Sequence, residues 1–546
     1  MSRPLSPTGS RDAVVVGLLL AVLAVLMGFA GILMLGAAIV TAATGGPWRM
    51  PPLSTWAAKG LNMLADPTRP AIGSPWTQAV EAHPALYWAI TLTIAVLATA
   101  VVTVVALVVW RRVGPSPAGH ASREDIRREL SATAARVTAE WTRPSLSRDQ
   151  RRRAPLDEIA APLHRGPHHE VMVTPLENPT GALAPTQSGK SRRDLVHKVL
   201  AAPGALLCSS TKPDLVEFSA LARTRRQHAG PVLVYDATGA VAWPARLRWS
   251  PITGCADTDV ARRRAHTMVE ASAVTLTDVG GNDRVFRDRA KTVMQAYLLA
   301  AALHGDDVNV LVRWAVGKPP DQEPVKLLTE AGYPELARNL RTEIGMVAET
   351  SDAVWMSVRR CIEPLMDPRL RDLCLPRPNE EFDARTFIGN QGSLYLVAGQ
   401  DQAAMAAPLL TALVEYWMTT AQEMALDYPH RRVDPVVTTV LDEITQATPV
   451  PELPGIVADT AGRGVLVHWG AQSMAALENT YGSKRARQLL DNTTTLSVWG
   501  GLKDQETLRW ISLLAGHHER RRYQQQSMGM LTAGRTAVGT ETVPTY

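Results

Sequence analysis

The sequence predicts an α/β fold built on a parallel sheet, interrupted by an all-α insertion and preceded by two membrane-crossing helices. Three observations predict it. Two uncharged apolar segments lie near the N-terminus; from about residue 166 short apolar runs alternate with amphipathic stretches; and from about Asp257 to Pro376 those runs give way to helical periodicity. A chain of 546 residues is too long for one compact core, so several domains are expected.

The first apolar segment runs from Ala13 to Ala43 without a charge. About 31 residues at 1.5 Å each give roughly 46 Å of helix, more than a bilayer core of about 30 Å. A cleaved signal peptide would carry an apolar region of only about 7–15 residues. Gly28, Gly31 and Gly36 let the helix tilt, pack or end early. The second segment, Ala85 to Trp110, stops at Arg111-Arg112 and carries Tyr87, Trp88 and Trp110 where interfacial aromatics belong. Arg3 and Arg11 precede the first span and Arg111, Arg112, Arg123, Arg127 and Arg128 follow the second, so both termini are expected on the cytoplasmic side. The loop between them, Thr44 to Pro84, is a small extracytoplasmic excursion with no visible chemistry.

Residues 116–165 read as a basic juxtamembrane linker ending its densest stretch in Arg151-Arg152-Arg153, suited to anionic lipid before nucleic acid. His164, His168 and His169 lie among prolines and read as loop histidines. Lys and Arg number 57 against 52 Asp and Glu, so the whole chain is only mildly basic and any nucleic-acid surface must come from local clustering. Cys208, Cys255, Cys361 and Cys374 have no paired spacing, which argues against a zinc site or a disulfide framework and for buried thiols in a reducing compartment.

The α/β body begins with the strand Gly181-Ala182-Leu183, which feeds Ala184-Pro185-Thr186-Gln187-Ser188-Gly189-Lys190-Ser191 and then a helix through Leu200. A strand-to-helix loop of this composition turns backbone N–H groups onto nucleotide phosphates. Gly189 permits close approach, Lys190 supplies a point charge and Ser191 offers a hydroxyl to Mg²⁺. Ala184 stands where the usual pattern has its first glycine. Further strands follow at Ala205–Cys208, ending in Ser209-Ser210-Thr211-Lys212-Pro213-Asp214, and at Val232–Asp236. The helical block, 257–376, carries Arg262, Arg263, Arg264, Arg284, Arg287 and Arg289, readable equally as solvated faces or as a nucleic-acid surface.

The sheet resumes at Ser393–Ala398. Val436-Val437-Thr438-Thr439-Val440-Leu441-Asp442-Glu443 then reads as a parallel strand buried on both faces, with two carboxylates at its carboxyl end where ligands bind. Asp442 is placed to hold Mg²⁺ and Glu443 to orient and deprotonate an attacking water. Val465–Ser473 is another strand, at whose end Gln472 can sense a γ-phosphate. Thr495–Gly500 is the last strand, before a helix from Asp504 to Leu514.

In this order and spacing the chain resembles the coupling proteins of bacterial conjugation and type IV secretion, the TraG/TraD-like branch of membrane-anchored RecA-like ATPases. The resemblance rests on the paired N-terminal spans, Ala-Pro-Thr-Gln-Ser-Gly-Lys-Ser, Ser-Thr-Lys-Pro-Asp, Trp249-Ser250-Pro251-Ile252, the all-α insertion, Leu441-Asp442-Glu443 and Ala471-Gln472-Ser473 followed by Tyr481-Gly482. It implies a RecA-like P-loop nucleotide-binding domain over 166–256 and 377–546, the all-α subdomain 257–376 between them, and a membrane domain over 1–115. It also implies a hexameric hydrolase of ATP with Mg²⁺ that engages single-stranded or relaxase-bound DNA and passes it to a secretion channel in the bacterial cytoplasmic membrane. Ala184, Thr186, Gln187, Ser188, Gly189, Lys190 and Ser191 would hold the nucleotide, Ser191 and Asp442 the metal, and Glu443, Lys190 and Gln472 would serve catalysis. Arg463, in Ala461-Gly462-Arg463-Gly464, is the candidate to reach across to a neighbouring subunit's ATP.

Two departures accompany the resemblance: Gln187 replaces a frequent Arg, and the chain stops at Tyr546, soon after Ser527-Met528-Gly529-Met530, where relatives usually continue through another strand. A product that folds incompletely or leans on its neighbours is therefore expected. Two other functions compete: an FtsK-type double-stranded DNA translocase, which would normally add a C-terminal winged-helix reader, and a membrane receptor that docks substrate proteins without hydrolysing nucleotide.

Overall fold

The computed structural model describes residues 11–50, 73–113, 121–166, 169–273, 281–317, 322–525 and 536–544. Arg3 and His168, and the Ser527–Met530 stretch, lie outside the described residues. The chain forms two units, Met1–Pro115 and Ser116–Tyr546.

In the first unit, helices Arg11–Ala43 and Pro84–Val113 flank a short one, Trp76–Ala82. Val25–Ala43 and Pro84–Val108 are each long and apolar enough to cross a membrane. Leu33, Met34, Ala37 and Val40 pack against Val80 and Tyr87. Gly36 makes that packing possible, because a Cβ there would lie 2.1 Å from the Thr91 hydroxyl oxygen. Small residues at such crossings let helix backbones approach closely.

The second unit is organised by a seven-stranded sheet, parallel throughout. Ahead of it lies an antiparallel pair, β1 (Ala160–Arg165) and β2 (Val171–Pro175). The sheet strands are β3 (Thr180–Leu183), β4 (Leu206–Ser210), β5 (Val232–Asp236), β6 (Ser393–Val397), β7 (Val437–Leu441), β8 (Val465–Ala471) and β9 (Thr495–Val498), in the spatial order β5-β6-β4-β7-β8-β3-β9. Every residue of β3, β4, β6, β7 and β8 is buried, as expected of central parallel strands covered on both faces. One strand, β8, separates β3 from β7, so the loop after β3, the carboxylates after β7 and Gln472 after β8 all emerge at the same carboxyl edge. This is the parallel α/β arrangement that the sequence predicts.

Between β5 and β6 the chain runs through helices Thr258–Ala273, Gly281–His304, Val308–Ala315, Glu323–Glu330, Pro334–Ile344, Ala348–Ile362, Pro368–Leu373 and Ala384–Gly389. Within the block, helix Pro334–Ile344 ends at Gly345 before the next begins at Ala348. These helices share one hydrophobic core with the sheet and with helix Gln400–Met424.

The arginines of this block do not form one free basic face. Arg264 is fully buried, its guanidinium 4.9 Å from the Trp249 ring centre and 5.5 Å from that of Tyr416, with Nε 3.3 Å from Glu415. A guanidinium stacked on rings and paired to carboxylate is a structural clamp. Arg287 and Arg289 are likewise engaged, by Glu270 at 3.3 Å and Glu343 at 2.7 Å.

The 116–165 stretch is not a bare linker. Ser122 and Ser147 build capping boxes for helices Arg123–Glu129 and Arg148–Arg153, Ser131 caps Ala132–Thr142, and the stretch ends in β1. Ala135, Ala139, Ile159 and Val173 give it a small core of its own. Arg143, buried, ties it to the chain just before β7: its Nε lies 2.6 Å from Asp434 Oδ1, and its Nη1 2.7 Å from Glu158 Oε2. Removing one partner of such a pair strands a buried charge. Arg143→Met is therefore expected to destabilise the chain by about 3 kcal/mol, read as a lowered denaturant midpoint, with Asp434→Asn milder.

His164 falls in β1, where its ring meets Trp499 edge-on at 5.1 Å, rather than in a loop. A second antiparallel pair, β10 (His517–Gln525) with β11 (Thr536–Pro544), follows the helix Gln505–Ala515 and has no counterpart in the sequence expectations.

Candidate active site

The loop after β3 closes on itself before the helix begins. Ala184 N–H donates to the Ala471 carbonyl (3.0 Å), Ser188 N–H to Pro185 (3.3 Å) and Arg193 N–H to Gly189 (2.8 Å). Gln187 at φ +62° and Gly189 at φ +88° adopt the left-handed conformation that turns successive amides to one side. A non-glycine residue held there is costly, and such strain collects at ligand sites. The N–H groups of Gln187 and Gly189 find no acceptor among the described residues, and the Ser188 hydroxyl is buried without a partner. These are donors that a polyphosphate would satisfy. After the loop, Ser191–Leu195 forms a π-turn leading into Val196–Leu200.

Lys190 reaches across to the carboxyl end of β7. Its ammonium donates to the Asp442 carbonyl oxygen at 2.6 Å and lies 3.5 Å from Asp442 Oδ1 and 3.9 Å from Glu443 Oε2. The Ser191 hydroxyl donates to Asp442 at 2.9 Å and 3.1 Å, and Ser210, at the end of β4, donates to the same carboxylate at 2.9 Å. Two hydroxyls and a carboxylate converging beside a phosphate loop are the hard oxygen donors that Mg²⁺ takes, with phosphates and water completing the shell. The residues present fit both nucleotide and metal.

Asp442 and Glu443 are both buried. Burial pushes the Glu443 carboxyl above its ordinary value, opposed by the Lys190 charge and by hydrogen bonds from Thr445 and Gln472, and assisted by Asp442. A carboxylate raised by desolvation is a better proton acceptor than a solvated one, provided it remains ionised at working pH. Asp214 is also raised, by burial first and then by Asp442.

These groups line one cleft of about 490 Å³, which contains all of Ala184 to Arg192 together with Thr211, Lys212, Asp214, Asp442, Glu443, Gln446 and Gln472. The structure thus brings the expected loop, carboxylates and glutamine together. Arg463 stands apart. It lies in the turn Ala461–Arg463 before β8, at the opposite edge of the sheet, paired to Asp459 at 2.7 Å. The seven residues of β8 at about 3.3 Å each put it roughly 20 Å from its own loop.

Ser210, Lys212, Asp214, Thr445 and Gln446 belong to the site without having been assigned a role from sequence; the first three lie at or just after the carboxyl end of β4. Gly470 is a further site residue: a Cβ there would lie 2.7 Å from Lys190 Nζ and 2.6 Å from the Asp442 carbonyl oxygen. Gly470→Ala is expected to displace the ammonium and weaken binding of a fluorescent ATP analogue about tenfold, a loss of about 1.4 kcal/mol, measured by titration.

Residues 436–543 match the family model described as the TraM recognition site of TraD and TraG. No curated protein matches the chain. Among solved structures, the bacterial conjugative coupling protein TrwBdeltaN70 in its trigonal form with sulphate is 18% identical, with 66% of this chain and 78% of that chain covered and a TM-score of 0.49. Its unbound monoclinic form is 17% identical, over 68% and 79%, with a TM-score of 0.47. VirB4 of Thermoanaerobacter pseudethanolicus is 13% identical, over 65% and 87%, with a TM-score of 0.36.

Proposed function

We propose that this chain, whose residues 436–543 match the family model described as the TraM recognition site of TraD and TraG, is a TraG/TraD-like membrane-anchored ATPase that couples a DNA substrate, single-stranded and relaxase-bound, to a type IV secretion or conjugation channel. The observation that carries the proposal is the joining of Lys190, Ser191, Asp442 and Glu443 in one cleft by direct contacts. ATP occupies the loop Ala184–Ser191, Ser191 and Asp442 hold Mg²⁺ through oxygen donors, and Lys190 neutralises the phosphates. Glu443 accepts a proton from the attacking water, and Gln472, hydrogen-bonded to Glu443, orients that water.

Arg463 serves a neighbouring copy. It lies at the sheet edge far from its own phosphate loop and is partly exposed, so it can act only across an interface, once released from Asp459. That geometry favours a ring, and a homo-hexamer is the proposed assembly. The two apolar helices anchor the chain in the cytoplasmic membrane with both termini cytoplasmic, where ATP is available. The C-terminal region, whose matching model is named for TraM recognition, is the proposed docking surface for the DNA-processing complex.

Steady-state ATP hydrolysis by the full chain in detergent, measured without DNA, with single strands and with duplex, tests this reading. Stimulation by single strands above duplex supports it. Duplex-only stimulation would favour an FtsK-type translocase.

A further inference from the structure

Helix Leu453–Thr460 runs into the turn Ala461–Arg463 and stops at Gly464, whose φ is +75°. The last carbonyls of a helix have no partner within it and carry the negative end of its dipole, so a cation that donates to them stabilises that end. Arg432 does this from a distant segment: its Nη1 donates to the Ala461 carbonyl at 2.9 Å and to the Gly462 carbonyl at 3.2 Å. The backbone beside it completes the hold. Val433 N–H donates to the Arg463 carbonyl at 2.9 Å, and Val437 N–H to that of Gly464 at 2.9 Å. Gly464 fits there only without a side chain, because a Cβ would strike the Val433 carbonyl oxygen and the Arg432 stem.

Two features set Arg432 apart from an ordinary helix cap. It is only 5% exposed, yet no carboxylate lies within ion-pair distance among the described residues, and Glu177 and Asp434 act on it from farther away. Its Nε and Nη2 are buried without a hydrogen-bond partner among the described residues. Burying a guanidinium on such terms is unfavourable, and an apolar side chain of similar volume would fill the space without that penalty. The bonds it does make all go to the turn before β8. Its own backbone is fixed in turn: Val433 is buried, and Asp434 meets Arg143 at 2.6 Å and accepts from the Ser145 N–H at 2.7 Å. The clamp therefore fixes the backbone of Arg463 and leaves its partly exposed side chain, paired to Asp459 at 2.7 Å, to move.

We infer that Arg432 is a positioning residue for hydrolysis in a neighbouring copy, fixing the turn Ala461–Arg463 so that Arg463 is presented across the interface at one place. The inference rests on the proposed role of Arg463 and adds the group that aims it. A displacement of about 1 Å at a catalytic group can cost about a hundredfold in rate, and a backbone fixed in advance prevents it. The clamp abuts the amino end of β7, which is followed at its other end by Asp442 and Glu443, and β7 pairs with β8. The turn that serves a neighbour and the carboxylates that serve the chain's own nucleotide thus ride on one pair of strands.

The test uses the full chain in detergent with Arg432→Met, Arg432→Lys, Arg463→Ala and the double variant Arg432→Met/Arg463→Ala. Steady-state turnover is measured on each, with hydrogen exchange at the Val433 and Val437 amides as a readout independent of catalysis. Arg463→Ala is expected to lower kcat about 10³-fold, the lower range for an arginine acting in trans. Arg432→Met should lower kcat about a hundredfold with KM for ATP unchanged, and speed exchange at both amides. Arg432→Lys, whose ammonium can still donate to the two carbonyls, should hold kcat within a few-fold of the unaltered chain. The double variant should be no slower than Arg463→Ala alone, because a group that acts only by aiming another then has nothing to aim. Full kcat in Arg432→Met overturns the inference. So does a rise in KM as large as the fall in kcat, or multiplication of the two losses in the double variant, either of which marks a general structural effect. Loss of turnover in Arg463→Ala but not in Arg432→Met removes the inference alone, whereas full turnover in Arg463→Ala removes the trans role of Arg463 and the inference with it.

Discussion

Lys190→Ala is expected to abolish measurable nucleotide binding at concentrations that saturate the unaltered chain, a loss of at least about a hundredfold, or about 2.7 kcal/mol. The Lys190 ammonium is the positive charge in direct contact with both Asp442 and Glu443, two buried carboxylates. Without it a triphosphate would meet those carboxylates uncompensated, and charge-assisted hydrogen bonds worth about 1.5–3 kcal/mol each would be gone. Titration with a fluorescent ATP analogue measures the effect. Retained affinity would show that the loop does not hold phosphate.

Glu443→Gln has a different signature. The amide keeps the shape and can still meet Thr445 and Gln472, so affinity for ATP should change only a few-fold. Turnover should fall about 10²–10⁴-fold, the usual contribution of a positioned base. The pH profile separates this from a structural effect. Burial raises the Glu443 carboxyl, so the working, ionised form is lost on acidification earlier than an ordinary glutamate would lose it. The rate should therefore be full above that raised value and fall as pH drops through it, and Glu443→Gln should remove this acid limb along with the activity.

Much of this site was legible in the sequence, for local reasons. β7 is a β-branched run ending in two carboxylates, and a strand buried on both faces with charges only at its end has few alternatives. The loop after β3 announces itself by composition. What was not legible depends on contacts between distant segments. Arg264 looks like its neighbours Arg262 and Arg263, and becomes a buried clamp only because Trp249, Tyr416 and Glu415 surround it. Gly470 reads as an unremarked residue in an apolar strand, and its need to lack a side chain comes from Lys190 crossing above it. β10, His-His-Glu-Arg-Arg-Arg-Tyr-Gln-Gln, has no apolar alternation at all, so a period-two search passes over it. β1 is interrupted by Pro162 and the register shift after it, which hides the pairing with β2. The basic 116–165 stretch hides its fold because it is held by residues distant in sequence: Asp434 against Arg143, Arg226 against Glu158, and Val436 and Leu466 against Ala161.

In the proposed function the cleft of Lys190, Asp442 and Glu443 hydrolyses ATP. Phosphate release from ATP and Mg²⁺ by the full chain in the presence of single-stranded DNA, compared with Glu443→Gln under the same conditions, tests it most directly. Multiple turnovers by the unaltered chain and none by the variant, with ATP still bound to both, is the predicted result. Binding without turnover in the unaltered chain, or equal turnover in the two, would contradict it and leave a substrate receptor as the better description.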